Sequence, residues 1–263
     1  MISKSSFLIT LALFLSFPLF AETFIIAHRG ASKQAPENTL PAFELAWKQG
    51  ADAIEADFRL TKDGHVVCIH DQNTKRTAGK NLTVAKSTLS ELKKLDFGSF
   101  KGEQFKGTRI PTLAEVFAGI PEGKKIFIEI KSGPETLEPI IRALKNSSLK
   151  PEQIAIISFK EKILGDCKKL APHIYTSWLC NIKKKKGKLS PSFDSVLKTL
   201  KDYKIDGLST SHNYLNNEMI QTLKKQGTDC HVWTINDARQ AKKFIEWGVD
   251  SITTDIPHSI SNP

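Results

Sequence analysis

The sequence predicts an α/β fold, a (β/α)8 barrel with a small insertion after its second strand. Eight short apolar runs alternate with amphipathic helical patterns over about 240 residues. The helical patterns carry helix punctuation: Thr112–Glu115 reads as a capping box, and Pro134 suits a first helical turn. Gly50, Gly227 and Gly248 each follow a helical pattern and stand two residues before an aspartate, in GAD, GTD and GVD. A glycine there closes a helix in the left-handed conformation, and the recurrence points to repeated helix-to-strand units. An open, doubly wound sheet has the same order of elements, since counting strands does not prove closure.

The chain starts MISKSSFLITLALFLSFPLFAETF. Lys4 supplies a positive start, Phe7 to Leu15 an apolar stretch, Pro18 a break and Ala21 a small residue before Glu22. This is the pattern of a secretory signal over residues 1–21, although Leu19 departs from the small residue preferred at the −3 position. The apolar run is short for a membrane span. The expected product is exported, periplasmic or secreted, and begins near Glu22 as one domain, 22–263.

The expected strands are Phe24–Ala27, Ala53–Phe58, Ile126–Ile130, Ile154–Ser158, Ile174–Trp178, Ile205–Ser209, Cys230–Thr234 and Ser251–Thr254. Helices are expected at Leu40–Gln49, Leu113–Ala118, Glu135–Lys145, Lys160–Leu170, Asp194–Asp202, Asn217–Gln226 and Asp237–Trp247. A ninth apolar run, HVVCIH at 65–70, follows Phe58–Arg59 after only LTKDG. A parallel neighbour needs a crossover of roughly a dozen residues, whereas Asp63-Gly64 is a hairpin turn signal. Residues 58–70 are therefore expected as a hairpin on the second barrel strand, returning His70 and Asp71 to that strand's end. The insertion as a whole covers about 58–110, with Gln72–Ile110 lying between the hairpin and the capped helix.

Hydrophobic content of 40% suffices for an ordinary core, and the formal charge of +10 favours anionic partners. A lysine-rich solvated surface has the same composition. No nucleic-acid module motif appears, so no nucleic-acid partner is expected. The run KKKKGK at Lys183–Lys188 follows a strand on the site-bearing face and reads first as a solvated loop. Its other readings are steering of an anionic substrate and weak contact with an anionic membrane surface. Cys68 and Cys230 fall in strand-like runs and read as buried thiols. A Cys167–Cys180 pair is the less favoured reading, and no zinc spacing is present.

In AIEADF, Glu55 and Asp57 are two residues apart and share one face of a strand. Glu129 and Lys131 repeat the arrangement in IFIEIK. Three hard oxygen donors from neighbouring strands suit one divalent cation, Ca2+ or Mg2+. Ion pairs with Arg29, Arg59 or Lys131 are the other reading, and spacing alone leaves both open. His28 ends the first strand and His70 ends the hairpin. Two histidines beside a carboxylate cluster can divide acid and base roles. The sequence leaves open which histidine is acid and which base; the reach of the hairpin arm favours His70 as the acid. Arg29 and Lys131 combine a guanidinium fork with a point charge, which suits a phosphate.

The stretches AHRGASKQAPENTLPAF, ADAIEADFRLTKDGHVVCIHD, IPTLAEVF, IFIEIK, VWTIN and GVDSITTDIP closely resemble the glycerophosphodiester phosphodiesterase family over about Phe24 to Pro257. The resemblance implies a (β/α)8 barrel with an insertion after its second strand, in agreement with the hairpin argument. It implies acid/base roles for His28 and His70, metal ligation by Glu55, Asp57 and Glu129, and substrate contact by Arg29, Lys131 and Trp233. The implied activity is metal-dependent hydrolysis of glycerophosphodiesters, such as glycerophosphocholine or glycerophosphoethanolamine, to glycerol 3-phosphate and an alcohol. A lysophospholipase D or sphingomyelinase D type enzyme ranks second, because an acyl entrance needs more apolar residues than Phe97, Phe100 and Phe105. A noncatalytic barrel ranks below it, because the acidic and histidine positions are intact. Beside this set, Glu37 and Asn38 read as loop-fixing residues, with Asn38 a candidate neighbour of the site. Asp71 reads as a residue that orients His70, and Phe159 as one facing the cavity. Trp47, Trp178 and Trp247 read as packing residues, and His231 is given no role.

Overall fold

The computed structural model describes residues 23–261, so the expected signal at 1–21 lies outside the described residues. The elements run in order β1 (Phe24–His28), α1 (Leu40–Lys48), β2 (Ala53–Leu60), β3 (Val66–Cys68), α2 (Lys75–Ala78), α3 (Leu89–Lys93), α4 (Leu113–Ala118), β4 (Lys125–Ile130) and α5 (Leu137–Lys145). They continue with β5 (Ile154–Ser158), α6 (Glu161–Leu170), β6 (Tyr175–Cys180), β7 (Lys183–Lys185), β8 (Lys188–Ser190), α7 (Phe193–Asp202), β9 (Gly207–Ser211), α8 (Asn217–Lys225), β10 (Asp229–Trp233), α9 (Ala238–Glu246), β11 (Ser251–Thr254) and α10 (Pro257–Ser261).

Eight parallel strands close in the order β1, β2, β4, β5, β6, β9, β10, β11 and back to β1. The β1–β11 pairing decides between a barrel and an open sheet. Alternation along each strand then divides the side chains. Ile54, Ala56 and Phe58 face outward into the layer between barrel and helices, while Ala53 joins Ile26, Phe127, Ala155, Ile157 and Leu179 inside the barrel. Three aspartates clamp the lower rim. Asp52, Asp206 and Asp250 each precede a strand and accept the backbone N–H of Ile25, Thr176 and Cys230 on the strand beside it, at 2.7–3.0 Å. This gives the Asp of GAD and of GVD a structural purpose. Gly50, Gly227 and Gly248 all adopt positive φ, as a helix-closing glycine requires.

The hairpin forms as expected. β2 and β3 pair antiparallel, with Phe58 opposite Cys68 and Leu60 opposite Val66, around a turn in which Gly64 has φ 81°. The segment after it has its own small core of Val67, Ile69, Val84, Leu92, Phe97 and Ile110. Strand ends differ from the expected ones by one or two residues: β6 and β9 start later and run further toward the site. The Lys183–Lys188 run is a two-stranded hairpin on the site-bearing face, not an irregular loop. All four cysteines are buried and free, so Cys167 and Cys180 do not pair.

Candidate active site

All eight barrel strands end at the same rim, and the chemistry-bearing residues meet there. The register sets His28 opposite Glu55 and Asp57 opposite Glu129. Glu55, Asp57 and Glu129 are buried, and one oxygen from each lies within 4.8 Å of the others. A cavity of about 240 Å³ opens above them, lined by His28, Arg29, Glu55, His70, Glu129, Lys131, Phe159 and Trp233, among others. The site residues expected from the sequence thus converge, with His70 brought in by the hairpin as the turn argument requires.

Burial, Asp57 and Glu129 raise the Glu55 pKa well above the usual carboxylate range. Burial and Asp57 push Glu129 up to about 7 against the pull of Lys131. Burial also acts on Asp57, but Arg29 and Lys131 outweigh it and hold that carboxyl below its ordinary value. Both readings of the acids therefore have a structural basis. Lys131 Nζ is 2.8 Å from Glu129 and 3.5 Å from Asp57, and Arg29 Nε is 3.1 Å from Asp57. Two cations still do not balance three carboxylates, and Asp57 Oδ1 is buried without a hydrogen-bond partner. A donor set made only of carboxylate oxygens, one of them with no hydrogen bond and with Lys131 Nζ no nearer than 3.5 Å, fits a hard divalent cation.

Local backbone geometry serves this cluster. Arg29 and Asn38 both lie in the left-handed region, at φ 57° and 59°, where non-glycine residues are uncommon. The Arg29 backbone N–H donates to Glu55 Oε2 at 3.0 Å. Asn38 Nδ2 donates to Asp57 Oδ2 at 2.8 Å, and the Asp57 N–H donates to Asn38 Oδ1 at 3.0 Å. The Cys68 thiol donates to the same Asn38 oxygen. Asn38 is thus a direct support of the cluster.

Each histidine is oriented by a carboxylate. His28 Nδ1 lies 2.7 Å from Asp255 Oδ1, and His70 Nδ1 lies 2.7 Å from Asp71 Oδ1. A carboxylate only accepts, so each Nδ1 carries the hydrogen, and Nε2 is left for the cavity. Asp71 orients His70 as expected. Arg59 fixes the His70 carbonyl with Nε and Nη2, at 2.9 and 2.7 Å. Burial lowers the His70 pKa below that of free imidazole, overcoming Asp57 and Asp71.

The sequence reading missed Asp255 and Arg76. Asp255 also accepts from Ser32 Oγ and Asn236 Nδ2. Its only signal was its place just after the last strand, equivalent to that of Arg29 after the first. Arg76, in the inserted α2, bridges Glu37 and Asp71, and nothing local marks it. Phe159 lines the cavity as expected and stacks edge-on to Trp233 at 5.9 Å. Trp233 Nε1 is buried and has no hydrogen-bond partner. Trp178 is buried, and Trp47 and Trp247 pack against the outer core. His231, given no role, forms part of the cavity floor.

The model of the glycerophosphoryl diester phosphodiesterase family matches residues 28–259. A glycerophosphodiester phosphodiesterase of Caldanaerobacter subterraneus subsp. tengcongensis is 40% identical over 250 residues, covering 92% of this chain and 97% of that protein. A Bacillus subtilis glycerophosphodiester phosphodiesterase is 32% identical, covering 88% of this chain and 83% of its own length. Among solved structures, an Oleispira antarctica phosphodiesterase in complex with the product sn-glycerol-3-phosphate superposes with a TM-score of 0.82 at 30% identity. That match covers 91% of this chain and 96% of the other.

Proposed function

The chain belongs to the glycerophosphoryl diester phosphodiesterase family, and from that premise we propose how its cavity hydrolyses a glycerophosphodiester to glycerol 3-phosphate and an alcohol. The observation that carries the reading is the convergence of three carboxylates, two carboxylate-oriented histidines, Arg29 and Lys131 on one cavity.

Glu55, Asp57 and Glu129 would hold one divalent cation, Ca2+ or Mg2+. When bound, it supplies Lewis acidity toward a phosphate oxygen. The remaining work falls to the chain's own groups. Arg29 and Lys131 offset charge that builds on the phosphoryl oxygens. The Trp233 indole N–H, unpartnered in the buried wall, donates to a substrate oxygen.

The charge around the histidines favours the reverse of the assignment drawn from reach. Asp71 shares its charge with Arg76, while Asp255 has no lysine or arginine ion pair among the described residues and faces His28 directly. His70 is therefore the base, taking a proton at Nε2 from the attacking water, whose oxygen joins phosphorus as the bond to the departing alcohol breaks. His28 is the acid, giving a proton from Nε2 to the departing alkoxide.

The test is release of glycerol 3-phosphate from glycerophosphocholine by the purified protein, with and without chelator. Release that ignores chelation would remove the cation from the reading. A folded protein that releases none would remove the reaction. We further propose export directed by residues 1–21, checked by fractionating cells that express the chain with and without them.

A further inference from the structure

We propose that a basic rim at the barrel mouth docks this protein on an anionic lipid bilayer. The rim is formed by the loops that follow three neighbouring strands, β5, β6 and β9. Residues 159–160, 181–192 and 212–216 contain six lysines and no acidic residue. Five of the six lie in the β7–β8 hairpin and are exposed, and none is within ion-pair reach of a carboxylate among the described residues.

The hairpin is a shaped element. Lys186 and Gly187, at φ 47° and 81°, make the two-residue turn whose twist suits paired strands. The register sets Lys185 opposite Lys188 and Lys183 opposite Ser190, so Lys183, Lys185 and Lys188 share one face. Leu189, on the other face, packs against the outer core next to the buried Ile182. That contact turns the three-lysine face away from the protein.

Aromatic side chains flank the lysines. Phe159 is 47% exposed and Tyr214 41%, and β7 lies beside the 212–214 turn that carries Tyr214. A site for an inorganic polyanion has no need of exposed aromatic rings, and no nucleic-acid module motif is present to suggest bases that would stack on them. Lysines beside such rings match the boundary between headgroups and acyl chains, where rings insert and ammonium groups reach phosphates. A bilayer docked on this arc would lie against the end of the barrel where the cavity opens. The inference depends on the location of that cavity and not on its reaction.

Sedimentation of the purified protein with vesicles tests it. Vesicles of equal parts phosphatidylglycerol and phosphatidylcholine should retain the protein at low salt and release it at high salt. Phosphatidylcholine alone should retain little. Each lysine near an anionic surface is worth about fivefold in binding, so loss of three would weaken retention on the order of 100-fold, and Lys183→Glu, Lys185→Glu and Lys188→Glu combined, which also add repulsion, should weaken it by at least that much. Tyr214→Ser should weaken it severalfold. Thermal melting, and hydrolysis of a soluble glycerophosphodiester, should stay at the wild-type level in both variants. Equal retention on the two vesicle types, or retention that survives the triple reversal, would overturn the proposal. Capture on heparin without retention on anionic vesicles would also overturn it, in favour of a general polyanion site.

Discussion

Arg76 and Glu37 form a two-bonded ion pair across the site's edge, with Nη1 2.6 Å from Oε2 and Nη2 2.9 Å from Oε1. Through it the two sides of the cavity are joined. Glu37 also pairs with Arg29 at 3.0 Å, and Arg76 Nε pairs with Asp71 at 2.8 Å, which in turn holds His70. Arg76 touches no reacting atom in this reading and is a positioning residue. Arg76→Ala should lower kcat roughly 10- to 100-fold, as misplacement of catalytic groups does, with a smaller change in KM. It should also raise the apparent pKa of the basic group in the pH–rate profile, because Asp71 would lose the cation that shares its charge. Arg76→Lys should restore little, since lysine lacks the fork. An unchanged pH profile with lower stability would make Arg76 merely structural.

The two histidines can be told apart by leaving group. An alkoxide needs a proton to depart, whereas nitrophenolate leaves without one. His28→Ala should cost on the order of 10² to 10⁴ in kcat/KM on glycerophosphocholine and far less on a nitrophenyl phosphodiester. His70→Ala should cost both substrates alike. The opposite pattern would return the acid role to His70.

The carboxylate cluster predicts linkage between metal and stability. A divalent cation that binds only the native state raises Tm with its concentration, and here it also offsets the burial and the mutual repulsion that raise the Glu55 and Glu129 pKa values. Titration of the chelated protein with Ca2+ or Mg2+ should raise Tm, and Glu55→Gln should weaken that response. If neither ion moves Tm, the three acids serve only ion pairs.

His231 predicts an acid-labile barrel floor. Burial pushes its pKa from 6.5 down to about 4. Its Nε2 lies 2.7 Å from the Tyr175 hydroxyl, which donates to Asp229, and its Nδ1 lies 2.8 Å from Ser251 Oγ. The unfolded chain binds a proton here at higher pH than the folded one. The stability from keeping His231 neutral is complete above about 6.5 and is lost as pH falls toward 4. His231→Gln should lower Tm at neutral pH and flatten its fall across that window. Parallel Tm profiles for the two proteins would refute the linkage.

Gly30 explains why glycine follows the His-Arg pair. It has φ 82°, and a Cβ would stand 2.6 Å from the Ala42 carbonyl carbon. Gly30→Ala should destabilise by more than the backbone strain alone, about 1–2 kcal/mol, because the clash with Ala42 is added to it. Gly64→Ala, at φ 81° with nothing within 4 Å, carries only the backbone strain, about 1–2 kcal/mol. Denaturant unfolding should rank Gly30→Ala as clearly the worse, and equal losses would mean that Ala42 yields.

The sequence by itself determined the faces of β2 and β4 and the return of His70. A strand has a period of two, so Glu55, Asp57 and Glu129 had to share an inner face. A connection as short as 61–65 allows only an antiparallel return. These are local constraints, legible without knowing what lies opposite. Closure, by contrast, rests on β1 meeting β11, and the His28–Asp255 pair joins residues 227 apart. Arg76 meets Glu37 only because the insertion folds back over the loop after β1. Leu189 turns the lysine face outward only because a core lies beneath it. Such pairings depend on where distant segments come to rest, and the tertiary structure alone decided them.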